Sequence, residues 1–486
     1  MMDKSNYLKV IEDTISNGRF KAEWDSLSQF QVPAWYQQAK FGIFIHWGLY
    51  SIPAFANEWY PRNMYIQGSR EYEHHLATYG EHKAFGYKDF IPLFKADHFN
   101  AEEWANLFKL SGAKYVMPVA EHHDGLQMYK SAYSNYNTYE MGPMRDLVGE
   151  MKSAFEQQGL EFCVSSHRAE HWFFLSHGKE FDSDIQEPLV CGDFYWPAMP
   201  EPDHQDLFGS PPNQEFLEDW LIRCCELVDN YQPKVFYFDW WIHTAAFKPY
   251  LKKFAAYYYN KGEEWGTPVA INYKHDAFMF GSAIPDIERG HFAELKPYFW
   301  QTDTAVAKNS WCYTADNDYK STEEIIRDLV DIVSKNGSLL LNIGPKADGS
   351  IPAEDREILL GIGDWLKVNG EAIYDTTYWR IFGEGPTKII EGQFTDGTTK
   401  NFTSEDIRFT VKGSYLYATV LVYPENGIVH IQSLKEKSVH FHGMIKDIHI
   451  LGFDERPTWD RTEEALVIKT TSVRSETPVV LRIELD

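Results

Sequence analysis

The apolar residues of this chain follow two patterns, which divide it near residue 375. Before that point, short runs rich in β-branched and aromatic residues alternate with longer segments whose apolar positions recur at helical spacing. The clearest runs that predict strands are 41–45, 113–119, 161–166, 235–239, 268–272 and 338–345. Strands separated by helices of about 10–20 residues are typical of βαβ units. With roughly seven such strands, the pattern predicts an α/β fold, a (β/α)8-like TIM barrel rather than an open sheet.

Capping residues mark the ends of several predicted helices. Asn100, with Glu103 three residues later, is a predicted N-cap, and that helix ends at Gly112. Ser321 and Glu324 form a predicted capping box for a helix over 322–335. Further helices are predicted over 146–158, 214–230, 249–260 and 354–368.

After residue 375 the apolar pattern changes to a period of two. Six short runs alternate in this way: RFTVK, SYLYATVLVY, GIVHIQSL, DIHILG, ALVIKT and PVVLRIEL. Short alternating strands joined by turn residues are typical of an antiparallel sandwich. We therefore predict a (β/α) barrel domain over residues 1–378 and a C-terminal β-sandwich domain over residues 379–486.

Charge and hydropathy restrict the classes of partner. The chain of 486 residues has 71 acidic and 46 basic side chains, a formal net charge of −25. Such a chain repels phosphate backbones, so we expect no nucleic-acid partner. No run of about 18 apolar residues occurs, so we expect no membrane-spanning segment. No signal peptide is visible in MMDKSNYLKV and the residues that follow. Cytoplasm and, with a signal already removed, periplasm both remain open, and oligomeric state is not predicted.

Ionisable residues cluster just past the predicted strands. In a TIM barrel the carboxyl ends of the strands meet at one face, where catalytic groups lie. The residues that follow the strands are His46, Glu121, His122, His123, Asp124, His167, Asp239, Asn272 and Lys274. One such residue alone would mean little, but the set predicts a polar site at the barrel mouth.

The histidines can bind hydroxyl groups, bind a metal or simply pack. His122 and His123 are adjacent, and neighbouring residues of a strand point to opposite faces, so a shared metal is not expected. The HxH and HExxH patterns are also absent. We predict no catalytic metal and favour hydroxyl binding, because a neutral imidazole offers one donor and one acceptor. Hydrogen-bonded packing is the alternative.

Aromatic residues make up 16% of the chain, and several lie beside the predicted site. Trp47, Trp59, Trp240, Trp241 and Trp311 adjoin segments that end at the barrel mouth, so they are predicted to form walls of a pocket for a ligand with apolar faces, sugars among them. The tract 191–212 is either a rim over that pocket or a plain surface loop.

Asp239 is the strongest candidate for a catalytic group. It directly follows the apolar run VFYF, so it should emerge at the mouth beside two tryptophans. The alternative is an aspartate that only caps the next helix. Glycoside hydrolysis needs a second carboxyl group, which protonates the leaving oxygen. Glu288, predicted to lie on the loop after the fifth strand, is the first candidate. The rivals are Asp286, Glu294 and Glu58, and a solvated loop charge is the alternative for Glu288.

Four segments resemble the retaining α-L-fucosidases of glycoside hydrolase family 29. They are WYQQAKFGIFIHWGLYSIPAFANEWY (35–60), EHHDGLQMYKSAYSNYN with GPMRDLVGEM (121–151), VFYFDWW (235–241), and SLLLNIGPKADGSI through WLKVNGEAIYDT (338–376). They extend over most of residues 35–376. The resemblance implies a catalytic (β/α) barrel followed by a β-sandwich.

The resemblance also implies roles for individual residues. Asp239 stands at the family's nucleophile, and Glu288 stands at the glutamate that many members use as general acid/base. The residues that match fucose-binding positions are His46, Glu58, Trp59, His122 and His123. Lys274 falls where some members have a substrate-binding arginine, and Trp311 lies in WCY where the family often has WGY. SSHRAEHW departs from the commoner YYSxxEW pattern, with His171 where many members have Glu, so a sugar contact for His167 is only weakly implied.

These roles imply an exo-acting, retaining α-L-fucosidase that needs no cofactor and acts on a fucosylated oligosaccharide or glycoconjugate. A retaining enzyme should hold its two carboxyl groups about 5 to 5.5 Å apart. One alternative is a retaining glycosidase for a fucose-like sugar such as L-galactose, or an enzyme that transfers fucose. The other is a sugar-binding protein without catalysis, which the presence of both Asp239 and Glu288 argues against.

Overall fold

A computed structural model describes residues 3–398 and 401–486. Residues up to Ile343 form a closed barrel of eight parallel strands, which confirms the predicted fold. Strand β1 pairs with both β2 and β9, and β3 and β4 together serve as one strand. The barrel strands are β1 (Phe41–Ile45), β2 (Tyr115–Glu121), β3 (Glu161–Phe162), β4 (Val164–Ser166), β5 (Val235–Phe238), β6 (Ala270–Tyr273), β7 (Ile284–Glu288), β8 (Trp300–Ala305) and β9 (Gly337–Ile343).

The helices precede, separate and follow these strands. They are α1 (Lys4–Asn17), α2 (Trp24–Leu27), α3 (Ala34–Ala39), α4 (Tyr60–Asn63), α5 (Arg70–Tyr79), α6 (Ala101–Leu110), α7 (Leu147–Gln157), α8 (His171–Phe174), α9 (Gln214–Tyr231), α10 (Lys248–Trp265), α11 (Thr322–Ser334) and α12 (Ala353–Asn369). The Asn100 side chain accepts from the backbone N–H groups of Glu102 and Glu103, and Ser321 accepts from that of Glu324, so both predicted N-caps are confirmed. Within the described ranges, every helix is too short or too polar to cross a bilayer.

Strands β7 and β8 were not predicted. Their sequences, IPDIE and WQTDTA, carry polar residues at positions where a buried strand usually has apolar ones. The placement of Glu288 on a loop was therefore wrong, because Glu288 is the last residue of β7.

The C-terminal residues form two antiparallel sheets around a separate apolar core, which confirms the predicted sandwich. One sheet has the strand order β10-β11-β12-β17-β14, and the other has the order β13-β16-β15. The strands are β10 (Thr377–Glu384), β11 (Ile407–Lys412), β12 (Tyr415–Val420), β13 (Ile428–Ile431), β14 (Ile445–Ile450), β15 (Thr458–Arg461), β16 (Leu466–Lys469) and β17 (Val479–Leu485). Strands β10 and β15 were not predicted. The division at residue 378 stays a prediction; it falls within the first two residues of β10.

Alternation along the barrel strands brings the polar residues to one place. Phe44 and Tyr237 belong to the apolar cluster inside the barrel. Two residues further along each strand, side chains return to the same face. His46 and Asp239 therefore lie above this cluster, and Glu288 reaches the same level from the end of β7. The carboxyl ends of the strands thus form a polar surface above the apolar interior of the barrel.

Candidate active site

A cavity of about 970 Å³ opens at the carboxyl ends of the barrel strands. This volume is at the upper end of the range for small-molecule sites, about 300–1,000 Å³. Nine of the ten predicted site residues line it: His46, Glu58, Trp59, His122, His123, His167, Asp239, Glu288 and Trp311. His204 and Leu207 also line it, so the tract 191–212 forms part of the rim.

Asp239 lies directly after β5 and is almost enclosed. Its Oδ2 atom is 3.1 Å from Nδ1 of His167 and 3.5 Å from Nε2 of His123. Burial opposes ionisation of this carboxyl group, but His167 and the other neighbours together outweigh burial and hold the pKa of Asp239 below its ordinary value. Asp239 is therefore a carboxylate at neutral pH, as a nucleophile requires.

Glu288 has the opposite electrostatic environment. Burial raises its pKa, Lys274 opposes the rise and Asp239 adds to it, with a net value of about 7. The indole N–H of Trp240 donates to Oε2 of Glu288. Glu288 can therefore hold a proton near neutral pH beside a carboxylate that does not.

Lys274 is not among the residues that line the cavity, and its predicted contact with substrate stays a prediction. Its side chain is 1% exposed, and its Nζ lies 2.8 Å from Oδ1 of Asp286, 2.8 Å from Oδ1 of Asp303 and 3.3 Å from Oε2 of Glu288. Attraction to these carboxylates outweighs burial and raises the pKa of Lys274. The Lys274 ammonium is thus a buried positive charge in contact with Glu288.

Two histidines present unprotonated nitrogens as acceptors. His46 Nδ1 donates to Oδ1 of Asn342 at 2.6 Å, and His123 Nδ1 donates to the backbone oxygen of His167 at 2.8 Å. Burial lowers the pKa of both rings, that of His123 to about 4, so both are neutral at pH 7. Each Nε2 atom can therefore accept a hydrogen bond from a hydroxyl group of a ligand.

The expectation that His122 and His123 point to opposite faces was wrong. Strand β2 ends at Glu121, so neither histidine is held by strand alternation, and both line the cavity. His46, His122 and His167 each offer a ring nitrogen within 4.8 Å of the others. Burial lowers the pKa of His122, and neutral imidazoles can ligate a metal such as zinc. These three rings could hold a metal ion, and the absence of a catalytic metal stays a prediction.

Comparison with known proteins agrees with this arrangement. The family model for α-L-fucosidase matches residues 8–371, and the model for the α-L-fucosidase C-terminal domain matches residues 399–484. The chain belongs to the α-L-fucosidase family, glycoside hydrolase family 29.

Relatives from animals and bacteria match nearly the whole chain. Human plasma α-L-fucosidase is 34% identical over 431 residues, which cover 84% of this chain and 80% of the relative. Mouse tissue α-L-fucosidase is 30% identical over 490 residues, which cover 96% and 93%. A crystal structure of Thermotoga maritima α-fucosidase superposes with a TM-score of 0.76 at 32% identity, covering 96% of this chain and all of the other.

In this member of the α-L-fucosidase family, two predicted residues hold one wall of the cavity together. Glu58 Oε2 accepts from the backbone N–H of Trp311 at 2.9 Å. The Arg289 guanidinium lies 4.5 Å from the centroid of the Trp311 ring, and that ring packs on His46 with centroids 5.3 Å apart. Burial raises the pKa of Glu58, although these hydrogen bonds oppose the rise.

Trp59 also lines the cavity, and its ring lies 5.8 Å from that of His123. The predicted wall position of Trp47 was wrong. Trp47 is 2% exposed and packs in the core against Phe94 and Trp104.

Glu170 and Asp303 line the cavity but were not predicted. The Glu170 side chain is 1% exposed, and its Oε1 lies 3.8 Å from Nε2 of His123. Burial, with repulsion from Asp239, raises its pKa well above the ordinary value. His171, which was matched to the family's glutamate, instead binds the backbone oxygen of His123 through Nδ1 at 2.9 Å. The acidic residue of the SSHRAEHW segment that reaches the cavity is therefore Glu170.

Of the rival acids, two do not reach the cavity. Asp286 is buried and binds Lys274 and the amide of Gln301, and Glu294 is exposed elsewhere. Glu58 lines the cavity from the side of Trp311. The pairing of Glu288 with Asp239 stays a prediction.

A buried network of ion pairs supports the loop that carries His167. Arg168 binds Glu121 at 2.6 Å and Asp219 at 2.8 Å, and Arg223 binds the same two carboxylates at 3.0 and 2.8 Å. Shared bonds of this kind fix the backbone on which His167 approaches Asp239.

Proposed function

We propose that the chain hydrolyses terminal α-L-fucosyl residues of oligosaccharides or glycoconjugates with retention of configuration. Asp239 is the nucleophile and Glu288 the general acid/base. The observation that supports this assignment most strongly is the pair of carboxyl groups in one cavity whose pKa values move in opposite directions. A crystal structure of the similar T. maritima enzyme in complex with fucose supports the choice of sugar.

In the first step, a carboxylate oxygen of Asp239 forms a bond to the anomeric carbon while the bond to the leaving oxygen breaks. Glu288 transfers its proton to that oxygen, so the leaving group departs as a neutral alcohol. The product is a covalent fucosyl-enzyme with inverted configuration. His167, whose Nδ1 lies 3.1 Å from Oδ2 of Asp239, orients the attacking carboxylate.

In the second step, Glu288 takes a proton from water, and the water oxygen bonds to the anomeric carbon as the bond to Asp239 breaks. This second inversion restores the configuration and both carboxyl groups. The separation of about 5 to 5.5 Å between the two groups stays a prediction. The neutral rings of His46 and His123 suit an uncharged, hydroxyl-rich sugar.

The nucleophile is tested with Asp239→Gly and p-nitrophenyl α-L-fucoside. Release of nitrophenol should collapse, and azide should partly restore it by attacking the anomeric carbon where the carboxylate is missing. The trapped product should be fucosyl azide of inverted configuration. Full activity of the variant would refute the assignment of Asp239.

The acid is tested with Glu288→Ala and two substrates. A fucoside with nitrophenol as leaving group needs little protonation, so it should lose much less activity than a natural fucosylated disaccharide. Equal losses on both substrates would point to another residue as the acid, and Glu294→Ala is a control for a carboxyl group outside the cavity.

A further inference from the structure

One aromatic side chain that lines the cavity comes from the C-terminal unit, which comprises the residues from the start of β10 onwards. Among the described cavity-lining residues, Phe394 alone comes from beyond residue 377. It lies between β10 and β11, and its side chain is 55% exposed. Its ring is nearly parallel to that of Trp240, with an interplanar angle of 10° and centroids 5.9 Å apart. The two rings form an open aromatic surface at the rim.

The backbone around Phe394 is bound to the end of the strand that carries Glu288. The N–H of Phe394 donates to the backbone oxygen of Glu288 at 2.9 Å, and the N–H of Thr395 donates to that of Arg289 at 2.8 Å. A Cβ atom on Gly290 would lie 2.0 Å from the oxygen of Gly392, so the two backbones are in close contact. The position of Phe394 is therefore fixed relative to Glu288.

An ion pair anchors the same segment on its other side. The Asp396 carboxylate binds Nζ of Lys320 at 2.7 Å and accepts from Oγ1 of Thr304 at 2.6 Å. Both partners belong to the barrel unit, and Lys320 is 3% exposed. The Phe394 side chain is therefore exposed although these contacts hold its backbone in place.

Trp240 connects this surface to the bond that is cleaved. Its indole N–H donates to Glu288, and the leaving oxygen must come within about 2.6–3.2 Å of the same carboxyl group to receive its proton. The group attached to that oxygen must therefore pass beside Trp240. His275 packs against the indole with ring centroids 4.1 Å apart, which leaves Phe394 to extend the surface outwards.

We propose that Trp240 and Phe394 form a stacking platform for the sugar ring to which the fucose is linked, so that a segment of the C-terminal unit sets the preference for the leaving group. This proposal rests on the proposed function. Pyranose rings have an apolar face of C–H groups that packs on aromatic rings, and Phe394 offers no hydrogen bond that would select one hydroxyl pattern. The platform should therefore favour ring-bearing leaving groups over small ones.

The test compares Phe394→Ala with the wild type on three fucosyl donors. α-L-Fucosyl fluoride has no ring in its leaving group, p-nitrophenyl α-L-fucoside has an aryl ring, and a fucosylated disaccharide has a sugar ring. Loss of one aromatic contact should lower kcat/KM about 2- to 10-fold for the two ring-bearing donors. The value for the fluoride should change less than twofold.

Two further variants distinguish loss of the platform from a general loss of activity. Phe394→Tyr keeps the ring and should restore the disaccharide activity. Tyr378→Ala removes another exposed aromatic side chain of the C-terminal unit, outside the cavity, and should change none of the three activities.

The outcomes distinguish this proposal from the one on which it rests. Equal losses on all three donors, or an unchanged disaccharide activity, would overturn the platform while leaving the proposed function intact. A wild-type chain that is inactive on all three donors would overturn the proposed function and the platform together.

Discussion

Replacing Trp240 by phenylalanine removes the indole N–H that donates to Glu288 but keeps an aromatic ring at the rim. The N–H stabilises the ionised form of Glu288 and so lowers its pKa, against the larger effect of burial. Without the donor, the pKa of Glu288 must rise. The acid then stays protonated to higher pH, and the alkaline limb of kcat/KM should move upwards.

The size of the shift follows from the strength of the bond. A hydrogen bond to a charged group contributes about 1.5–3 kcal/mol. One pKa unit corresponds to about 1.4 kcal/mol. The Glu288 side chain is 10% exposed, so solvent replaces little of the lost bond. The alkaline limb should therefore move by about one to two pH units.

The assay is the pH dependence of kcat/KM for a fucosyl donor with a poor leaving group, because only such a donor needs the acid. Trp241→Phe is the matched control, since Trp241 packs on Phe173 and His204 and makes no hydrogen bond to Glu288. An alkaline limb that stays in place, or moves to lower pH, would refute the assignment of Glu288 as the acid that Trp240 stabilises.

Three other substitutions test the remaining parts of the site. His167→Ala removes the neighbour that lowers the pKa of Asp239 most, so the acid limb of kcat/KM should move to higher pH by about one to two pH units; an unchanged limb would show that His167 does not act on the nucleophile. Glu170→Gln replaces a carboxyl group that burial keeps protonated by its neutral isostere, so kcat/KM should stay within about threefold, and a collapse would make Glu170 a rival acid. Gly290→Ala forces the backbone apart at Gly392 and should lower the free energy of unfolding in urea by about 1–3 kcal/mol, whereas the same change at Gly397, which has open space around it, should not.

The sequence predicted the parts of the barrel whose strands are apolar on both faces. Strands β1, β5 and β9 are buried along their whole length, so their runs stand out against the polar segments around them. Strand β8 is equally buried and β7 nearly so, but they carry Asp286 and Asp303 inside the barrel and therefore lack an apolar run. The pattern fails where the strands supply the site, because the polar residues that serve the chemistry replace the apolar residues that would mark the strand.

The same distinction applies to single site residues. Asp239 was predictable because it ends an uninterrupted apolar strand, so its place at the mouth follows from the fold class alone. Phe394 was not, since it lies in a stretch rich in glycine and threonine and reaches the cavity only through contacts between the two units. For Lys274, its place after a strand predicted the correct end of the barrel, but the position of its ammonium depends on the neighbouring carboxylates, which the sequence pattern did not reveal.

Glu288 can keep its proton because burial favours the neutral form and because the Lys274 ammonium, which opposes this effect, is shared. Lys274 supplies one positive charge to three carboxyl groups within 3.3 Å, those of Asp286, Asp303 and Glu288, in a region largely shielded from solvent. Full ionisation of all three would leave two uncompensated negative charges in a medium that solvates them poorly. Burial and repulsion from Asp286 raise the pKa of Asp303 to about 8, and Glu288 follows with a pKa of about 7. The protonation of Glu288 thus depends on the whole cluster. The single charge of Lys274 stabilises some of the carboxyl groups in their ionised form, but it does not stabilise all three.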